Sequence, residues 1–498
     1  MKNLNINLES TFWQKPSFRW RIAAVVLFLS LPQHRIYSEE SPSRPNIILM
    51  MCDDLGWGDL QCYNPQSPIL TPHLNLMAKN GLKFNRFYAA APVCSPTRGS
   101  CLTGRHPFRY GIYFANTGHL PQEEITLPEI LKQHGYRTGH FGKWHLGTLT
   151  TKIKDANRGG PTKTGRMHFS PPQQHGYDAC FVTESKVPTY DPMLKPKKAN
   201  KKVWDFLKDR SQGFPYGTFY WNEKGKIVSD NLEGDDSRVI MDRVIPFMNA
   251  AVKNKEPFFA VIWFHAPHLP VVAGAKHVAP YAEHSQYERN YYGSVTAIDE
   301  QVGRLRKQLR SWNVANSTMF WFCSDNGPEG KEKSAPGSAS LLKGRKRSLY
   351  EGGIRVPGLL EWPSHIDSRR TTDFPAVTSD YLPTILDALQ IDYPSGRPLD
   401  GVSLMPVIEG KLQKRTKPIG FQSAKQQVWM NQQYKLYSAD AGDHWELYDL
   451  LEDPAETKNL SHDFSDTVDS LSQSLELWIK SCKNSDLGMD YPSIRNNQ

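Results

Sequence analysis

Three dense apolar runs, each cut off by polar residues, constrain this chain more than any other feature. The run 46–52 (NIILMMC) ends at Asp53-Asp54, 258–264 (FFAVIWF) ends at His265-Ala266-Pro267-His268, and 317–323 (STMFWFC) ends at Ser324-Asp325-Asn326-Gly327. Short runs without polar alternation suit parallel strands buried on both faces, and open sheets of such strands collect their ligands outside the carboxyl ends. The expected class is therefore α/β, with the chemistry at strand termini. A length of 498 residues and 39% hydrophobic content allow one large domain and a smaller one. Helical stretches fall between the runs: Pro72 to Asn80, stopped by Gly81; Leu127 to His134, stopped by Gly135; and Ser237 to Val252, where Pro246 implies a kink or a break. Val295, Ile298, Val302, Leu305 and Leu309 form the stripe of one more core-facing helix.

Adjacent carboxylates repel unless a cation lies between them. Asp53, Asp54, Asp325 and Asn326 offer hard oxygen ligands, a donor set that favours calcium or magnesium over zinc. The competing reading of Asp53 and Asp54 is a solvated turn before Gly56. Cys94-Ser95-Pro96-Thr97-Arg98 places a potential nucleophile, a turn-setting proline and a fixed cation within five residues. Proline disfavours helix at Ser95, so a helix is expected through Thr97-Arg98-Gly99 with Cys94 at its mouth, beside free N–H groups that suit an anion. A buried cysteine before an ordinary capped helix is the plainer alternative. Lys143 and His145, two residues apart, are expected on one side of an extended chain, one to hold an anion and the other to move a proton. His268 is a candidate acid for a leaving group, with His265 its competitor, and Lys343-Gly344-Arg345-Lys346-Arg347 brings further cations.

The formal charge of +9 favours anionic partners. Seven cysteines, with no C-x-x-C pair, indicate neither a zinc knuckle nor a disulfide framework. Lys15, Arg19 and Arg21 precede an apolar stretch, Ile22 to Leu31, of signal-peptide length, so residues 1–38 are expected to direct export with cleavage near Ser38; an uncleaved anchor is the alternative. Residues 150–235 are turn-rich, and their lysines 195, 197, 198, 201 and 202, beside Trp204, could meet a polyanion or form a solvated loop. Near the carboxyl terminus, Gly401 to Leu404 and the stretch Gln427 to Tyr448 are expected as short antiparallel strands, and Asp466 to Ser481 as a closing helix.

Two of these stretches carry a resemblance. Cys94-Ser95-Pro96-Thr97-Arg98 with Leu102-Thr103-Gly104-Arg105, and Gly142-Lys143-Trp144-His145-Leu146-Gly147, resemble in order the two signatures of type I sulfatases of the alkaline-phosphatase-like superfamily, near arylsulfatase A and N-acetylgalactosamine-6-sulfatase. The similarity runs from Asn46 through Asp325-Asn326-Gly327 and Tyr350-Glu351-Gly352-Gly353 to the tail around Glu446 to Leu460; Cys101 and Phe141 are departures that remove no catalytic group. The fold it implies is an α/β/α sandwich around a mixed, mainly parallel sheet over 45–410, followed by an α+β domain with an antiparallel sheet and closing helix over 411–498. It further implies that a formylglycine-generating enzyme oxidises Cys94, whose aldehyde hydrate attacks sulfur and later expels sulfate. Asp53, Asp54, Asp325, Asn326 and modified Cys94 would hold Ca²⁺ in preference to Mg²⁺, and Arg98, Lys143 and Lys346 would neutralise the sulfate. His268 would protonate the leaving alcohol and His145 would serve the hydrate, the division between them and Lys346 being open.

A sulfated carbohydrate is the expected substrate, ahead of an aryl sulfate, with no nucleic-acid partner and no stable membrane insertion after signal removal. A phosphatase or phosphodiesterase of the same superfamily would want a Ser or Thr nucleophile and histidine-rich ligands for two metals. A non-catalytic glycan-binding protein would have lost a catalytic position or left Cys94 unconverted.

Overall fold

The computed structural model describes residues 44–155 and 160–491; the expected signal segment lies outside them. The apolar runs are the spine of an eleven-stranded sheet. Its principal strands are β1 (Asn46–Cys52), β2 (Leu82–Tyr88), β3 (Arg137–Lys143), β4 (Ala179–Thr183), β5 (Phe258–Trp263), β6 (Thr318–Ser324) and β7 (Arg355–Glu361). Five of them run parallel in the spatial order β4, β3, β5, β1, β6, while β7 pairs antiparallel with both β6 and β2.

Every residue of β1, β5 and β6 is buried, as strands covered on both faces must be. Alternate residues serve opposite cores: Ile47, Leu49 and Met51 pack with Cys101, Leu102 and Leu131, whereas Ile48, Met50 and Cys52 pack with Val239, Val244, Val295 and Ile298. Those partners belong to helices, namely α2 (Cys94–Thr103), α3 (Leu127–Gln133), α4 (Asp236–Lys253) and α5 (Gln286–Ser311), and α1 (Pro72–Asn80) joins the second group through Leu74 and Met77. The result is the expected mixed, mainly parallel α/β/α sandwich. A separate four-stranded antiparallel sheet, 419–449, is covered by α6 (Ser465–Asp486) through Leu471 and Leu475.

Local expectations needed four corrections. The helix α2 starts at Cys94 itself and not beyond Ser95, because Pro96 falls in its first turn, where no N–H is required. Pro246 interrupts nothing: α4 is continuous, and the proline lies on its exposed side. Gly401 to Leu404 is no strand, since the N–H groups of Val402 and Leu404 go to the side chains of Asp380 and Thr384 at 2.8 and 2.9 Å. Lys143 ends β3, and the chain then turns through His145 at φ 59°, so these two residues do not share one side of an extended strand.

Candidate active site

The carboxyl ends of β1, β5 and β6 are stitched together by their own backbone. The N–H of Asp53 donates to Ala266 O and that of Asp325 to Cys52 O, each at 3.1 Å. The chain then bends at Asp54, a non-glycine residue at φ 69°, whose N–H donates to Asp325 Oδ1 at 3.1 Å. Strand register alone thus brings Asp53, Asp54 and Asp325 into one buried patch.

Onto this patch α2 delivers Cys94 as its first residue. The whole helix is buried, and its polar residues act as clamps: Thr97 Oγ1 donates to Ala91 O at 3.0 Å, and Ser100 Oγ pairs with Thr378 Oγ1 at 2.7 Å. At Gly99 a Cβ would meet the Tyr110 hydroxyl at 2.6 Å. Gly104 ends the helix at φ 67°, a left-handed cap that favours glycine.

Three cations answer the three carboxylates. Arg98 donates from Nη2 to Asp325 Oδ2 at 2.6 Å, lies 3.5 Å from Asp53 Oδ2, donates from Nη1 to Lys143 O, and rests 5.1 Å from the Trp263 ring centre. Lys143 Nζ meets Asp53 Oδ2 at 2.5 Å, and Lys346 Nζ meets both oxygens of Asp54 at 2.6 and 2.8 Å. His268 donates from Nδ1 to Leu269 O at 2.6 Å, so its Nε2 faces Asp54 Oδ2 at 3.6 Å. His265, its competitor in the sequence, has both nitrogens engaged, by Asp236 at 2.8 Å and Thr183 at 2.7 Å, and is structural. His145 Nε2 pairs with Asn116 Oδ1 at 2.6 Å, and the Asn116 N–H reaches Ser95 Oγ at 3.4 Å.

Burial and charge act against each other here. Burial opposes ionisation of Asp53, yet Lys143, His268, Arg98 and Lys346 together hold it well below the usual carboxylate range. Asp325 goes the other way, pushed up to about 7 by burial and by the charge of Asp53. Burial pushes the Cys94 thiol up to about 12 and His268 down to about 4. For Lys346, Asp54 outweighs the cost of burial and the ammonium stays firmly charged.

A hard cation fits this donor set. Asp53 Oδ1 and Asn326 Oδ1 are buried without a hydrogen-bond partner among the described residues, and one ligand atom each of Asp53, Asp54, Cys94 and His268 lies within 4.8 Å of the others. Unsatisfied buried oxygens are costly, and a divalent ion would satisfy them. Asn326 Nδ2 meanwhile donates to Asp54 Oδ1 at 2.7 Å, which fixes its place beside the carboxylates.

Cys94, Asp53, Asp54, Asp325, Asn326, Arg98, Lys143, Lys346 and His268 are therefore brought together, and His145 is tied to Asn116, whose N–H reaches Ser95 beside Cys94. Asn116 and Trp263 went unrecognised: the first sits on a loop with no pattern, and the second reads only as the last member of an apolar run. Of the expected lysine cluster at 195–202, Lys195 closes the two-residue strand Leu194–Lys195 and the other four are exposed, while Trp204 is turned into the protein. All seven cysteines are free.

Comparison with known proteins agrees with this geometry. The sulfatase family matches residues 45–391, and the family described as N-sulphoglucosamine sulphohydrolase, C-terminal, matches residues 344–483. N-acetylgalactosamine-6-sulfatase of Homo sapiens is 32% identical over 392 residues, covering 75% of this chain and 68% of the relative. Steryl-sulfatase of Homo sapiens is 30% identical over 433 residues, covering 75% and 71%. The solved structure of Ps i-CgsB in complex with k-i-k-neocarrahexaose superposes with a TM-score of 0.73 at 25% identity, covering 90% of this chain and 98% of that one. Among the described residues no helix is long and apolar enough to cross a membrane. On these matches the chain belongs to the sulfatase family, the type I sulfatases of the alkaline-phosphatase-like superfamily, and is a sulfuric ester hydrolase.

Proposed function

We propose that this enzyme removes sulfate from a sulfated carbohydrate, using a formylglycine derived from Cys94 and one Ca²⁺ held among Asp53, Asp54, Asp325, Asn326 and the converted Cys94. The observation that carries the reading is the meeting of Cys94 with Asp53 and Asp54 within 4.8 Å, inside a ring formed by Arg98, Lys143 and Lys346. When bound, the metal and the aldehyde hydrate would supply positive charge at the sulfate oxygens and an oxygen nucleophile, respectively.

The chain's own residues prepare the rest. Arg98 is held on Asp325 and Trp263, which leaves its buried Nε without a partner among the described residues and available to a sulfate oxygen. Lys143 and Lys346 keep their positive charge in place through Asp53 and Asp54. His268 presents Nε2 to the centre because Nδ1 is spent on Leu269 O, so it would have to gain a second proton, on Nε2 beside Asp54, before passing that proton to a leaving alcohol. His145, tied to Asn116, would handle the proton of the hydrate.

Two further features support the reading. Cys94 is 2% exposed, and a thiol this buried and this hard to ionise is a poor nucleophile as it stands, so a modifying enzyme would have to reach it before the chain folds. The carbohydrate class is supported by relatives named for N-acetylgalactosamine 6-sulfate and by a structural neighbour holding a neocarrahexaose. Export through residues 1–38, and a division into 45–410 and 411–498, complete the proposal.

The test is mass spectrometry of the tryptic peptide 87–98 from protein made in its own host. An aldehyde at Cys94, together with turnover of a sulfated N-acetylgalactosamine, is the expected result; an unmodified thiol in active enzyme would overturn the mechanism.

A further inference from the structure

Among the described residues most cations around the site are matched to carboxylates, and Arg345 is held instead by the backbone carbonyls of Glu329 and Gly337 at 3.0 and 2.6 Å. Arg98, Lys143 and Lys346 lie on Asp325, Asp53 and Asp54, and Arg347 is held by both oxygens of Glu329 at 2.7 and 2.8 Å. Lys186 is half-buried and has neither a hydrogen bond nor an ion pair among the described residues. It nevertheless lies in the field of the site. Burial, and then the like charges of Lys143 and Lys346, pull its ammonium below the ordinary lysine range, while Asp53 and Asp54 act in the opposite sense.

The backbone holds Lys186 in a defined place. β4 pairs with β3 in parallel register, Lys143 opposite Thr183, and beyond the strand end the His145 N–H donates to Glu184 O at 3.0 Å. Thr183 Oγ1 donates to Ser185 O at 2.6 Å, closing the turn. Glu184, Ser185 and Val187 are buried, and Lys186 alone of these four emerges. An ammonium kept half out of water without a counter-ion is unfavourable in the free protein, and an arriving anion relieves it.

Two features argue that this anion is distinct from the sulfate being transferred. The three carboxylates at the centre are already met by three cations. β4, which ends at Thr183 just before Lys186, is three strands away from β1, and strands lie about 4.8 Å apart, so the two strands stand roughly 14 Å apart. We infer that Lys186 recognises a second anionic group on the substrate, a sulfate or a carboxylate carried beside the scissile sulfate ester, and so selects polyanionic saccharides over singly charged ones.

The inference rests on the sulfatase reading above, and its test separates the two. Three saccharides are compared: a singly charged disaccharide whose only anionic group is one N-acetylgalactosamine 6-sulfate, the same sugar 4,6-disulfated, and the 6-sulfated sugar joined to a uronate. The wild type, Lys186→Met and Lys186→Arg are assayed with turnover normalised to the formylglycine content at position 94. Lys186→Met should lower kcat/KM on at least one doubly charged substrate by about tenfold relative to the singly charged disaccharide, mainly through KM, and Lys186→Arg should restore most of it. The substrate that suffers identifies the second group as sulfate or carboxylate. An equal loss on all three, or no loss, overturns the inference. If wild-type enzyme hydrolyses none of them, the proposed N-acetylgalactosamine 6-sulfate substrate fails instead. Calorimetry with the same saccharides and unconverted protein then decides Lys186: a roughly tenfold weaker Kd in Lys186→Met for a doubly charged saccharide only sustains the inference, and equal Kd values end it.

Discussion

Arg98 shows how one side chain can serve both stability and chemistry. It is fully buried between Asp325, Asp53 and the Trp263 ring, so Arg98→Met would leave the buried Asp325 without its cation, a change expected to cost about 3–5 kcal/mol in denaturant unfolding. Arg98→Lys keeps the charge but loses the planar fork; it should fold, with kcat on p-nitrophenyl sulfate lower by about 10²–10³-fold. The two histidines after β5 should separate by readout. His265→Ala removes bonds to Asp236 and Thr183 and should lower Tm, whereas His268→Ala should leave Tm nearly unchanged and lower kcat by about 10²–10⁴-fold. Chelation of calcium should lower Tm, because Asp53 Oδ1 and Asn326 Oδ1 would be left unsatisfied, and added calcium should restore it better than magnesium. At this scale the sequence disclosed the chemical types well, since a carboxylate pair and a cysteine before Pro96 are unusual wherever they fall. It did not disclose which histidine was structural, because Asp236 and Thr183 reach His265 from distant segments.

Among the elements, the strands and helices with strong patterns fell where the pattern placed them: β1 and α1 occupy the expected residues, and α6 extends its expected span at both ends. The failures came where tertiary partners replaced local ones, as at Gly401 to Leu404. The loop that delivers Lys346 depends on such long-range fitting. Gly352 N donates to Lys343 O at 2.7 Å, Gly327 N donates to Gly353 O at 2.9 Å, and a Cβ on Gly353 would meet Ser348 O at 1.9 Å. Gly353→Ala should therefore displace backbone rather than a flexible side chain. We expect a loss of about 2–3 kcal/mol in thermal or denaturant unfolding, accompanied by a fall in kcat as Lys346 shifts from Asp54.

For the whole molecule, Arg109 and Asp400 tie the catalytic core to the closing helix. Arg109 forks onto both oxygens of Asp400 at 2.7 and 2.8 Å and reaches Ser481 and Ser485 of α6, while Trp478 Nε1 of the same helix donates to Asp400 at 2.8 Å. Burial opposes the charge on Asp400, but Arg109 and His106 hold its carboxyl well below the ordinary aspartate value of 3.8. In the folded protein the group therefore takes up its proton at lower pH than in the unfolded chain. Its contribution is present in full above about pH 4 and is lost as pH falls below that value, so acid unfolding should begin at higher pH in Arg109→Ala than in the wild type. By itself the sequence determined the α/β class, the strand ends that carry chemistry and the residue types gathered there, because apolar runs, turn residues and signature spacings are local properties. Only the tertiary structure decided that His145 is tied to Asn116, that His265 is sealed by Asp236, and that Lys186 is left without a counter-ion among the described residues. Each of these depends on which distant side chains strand register and helix packing bring within hydrogen-bond reach, a distance that no spacing along the chain records.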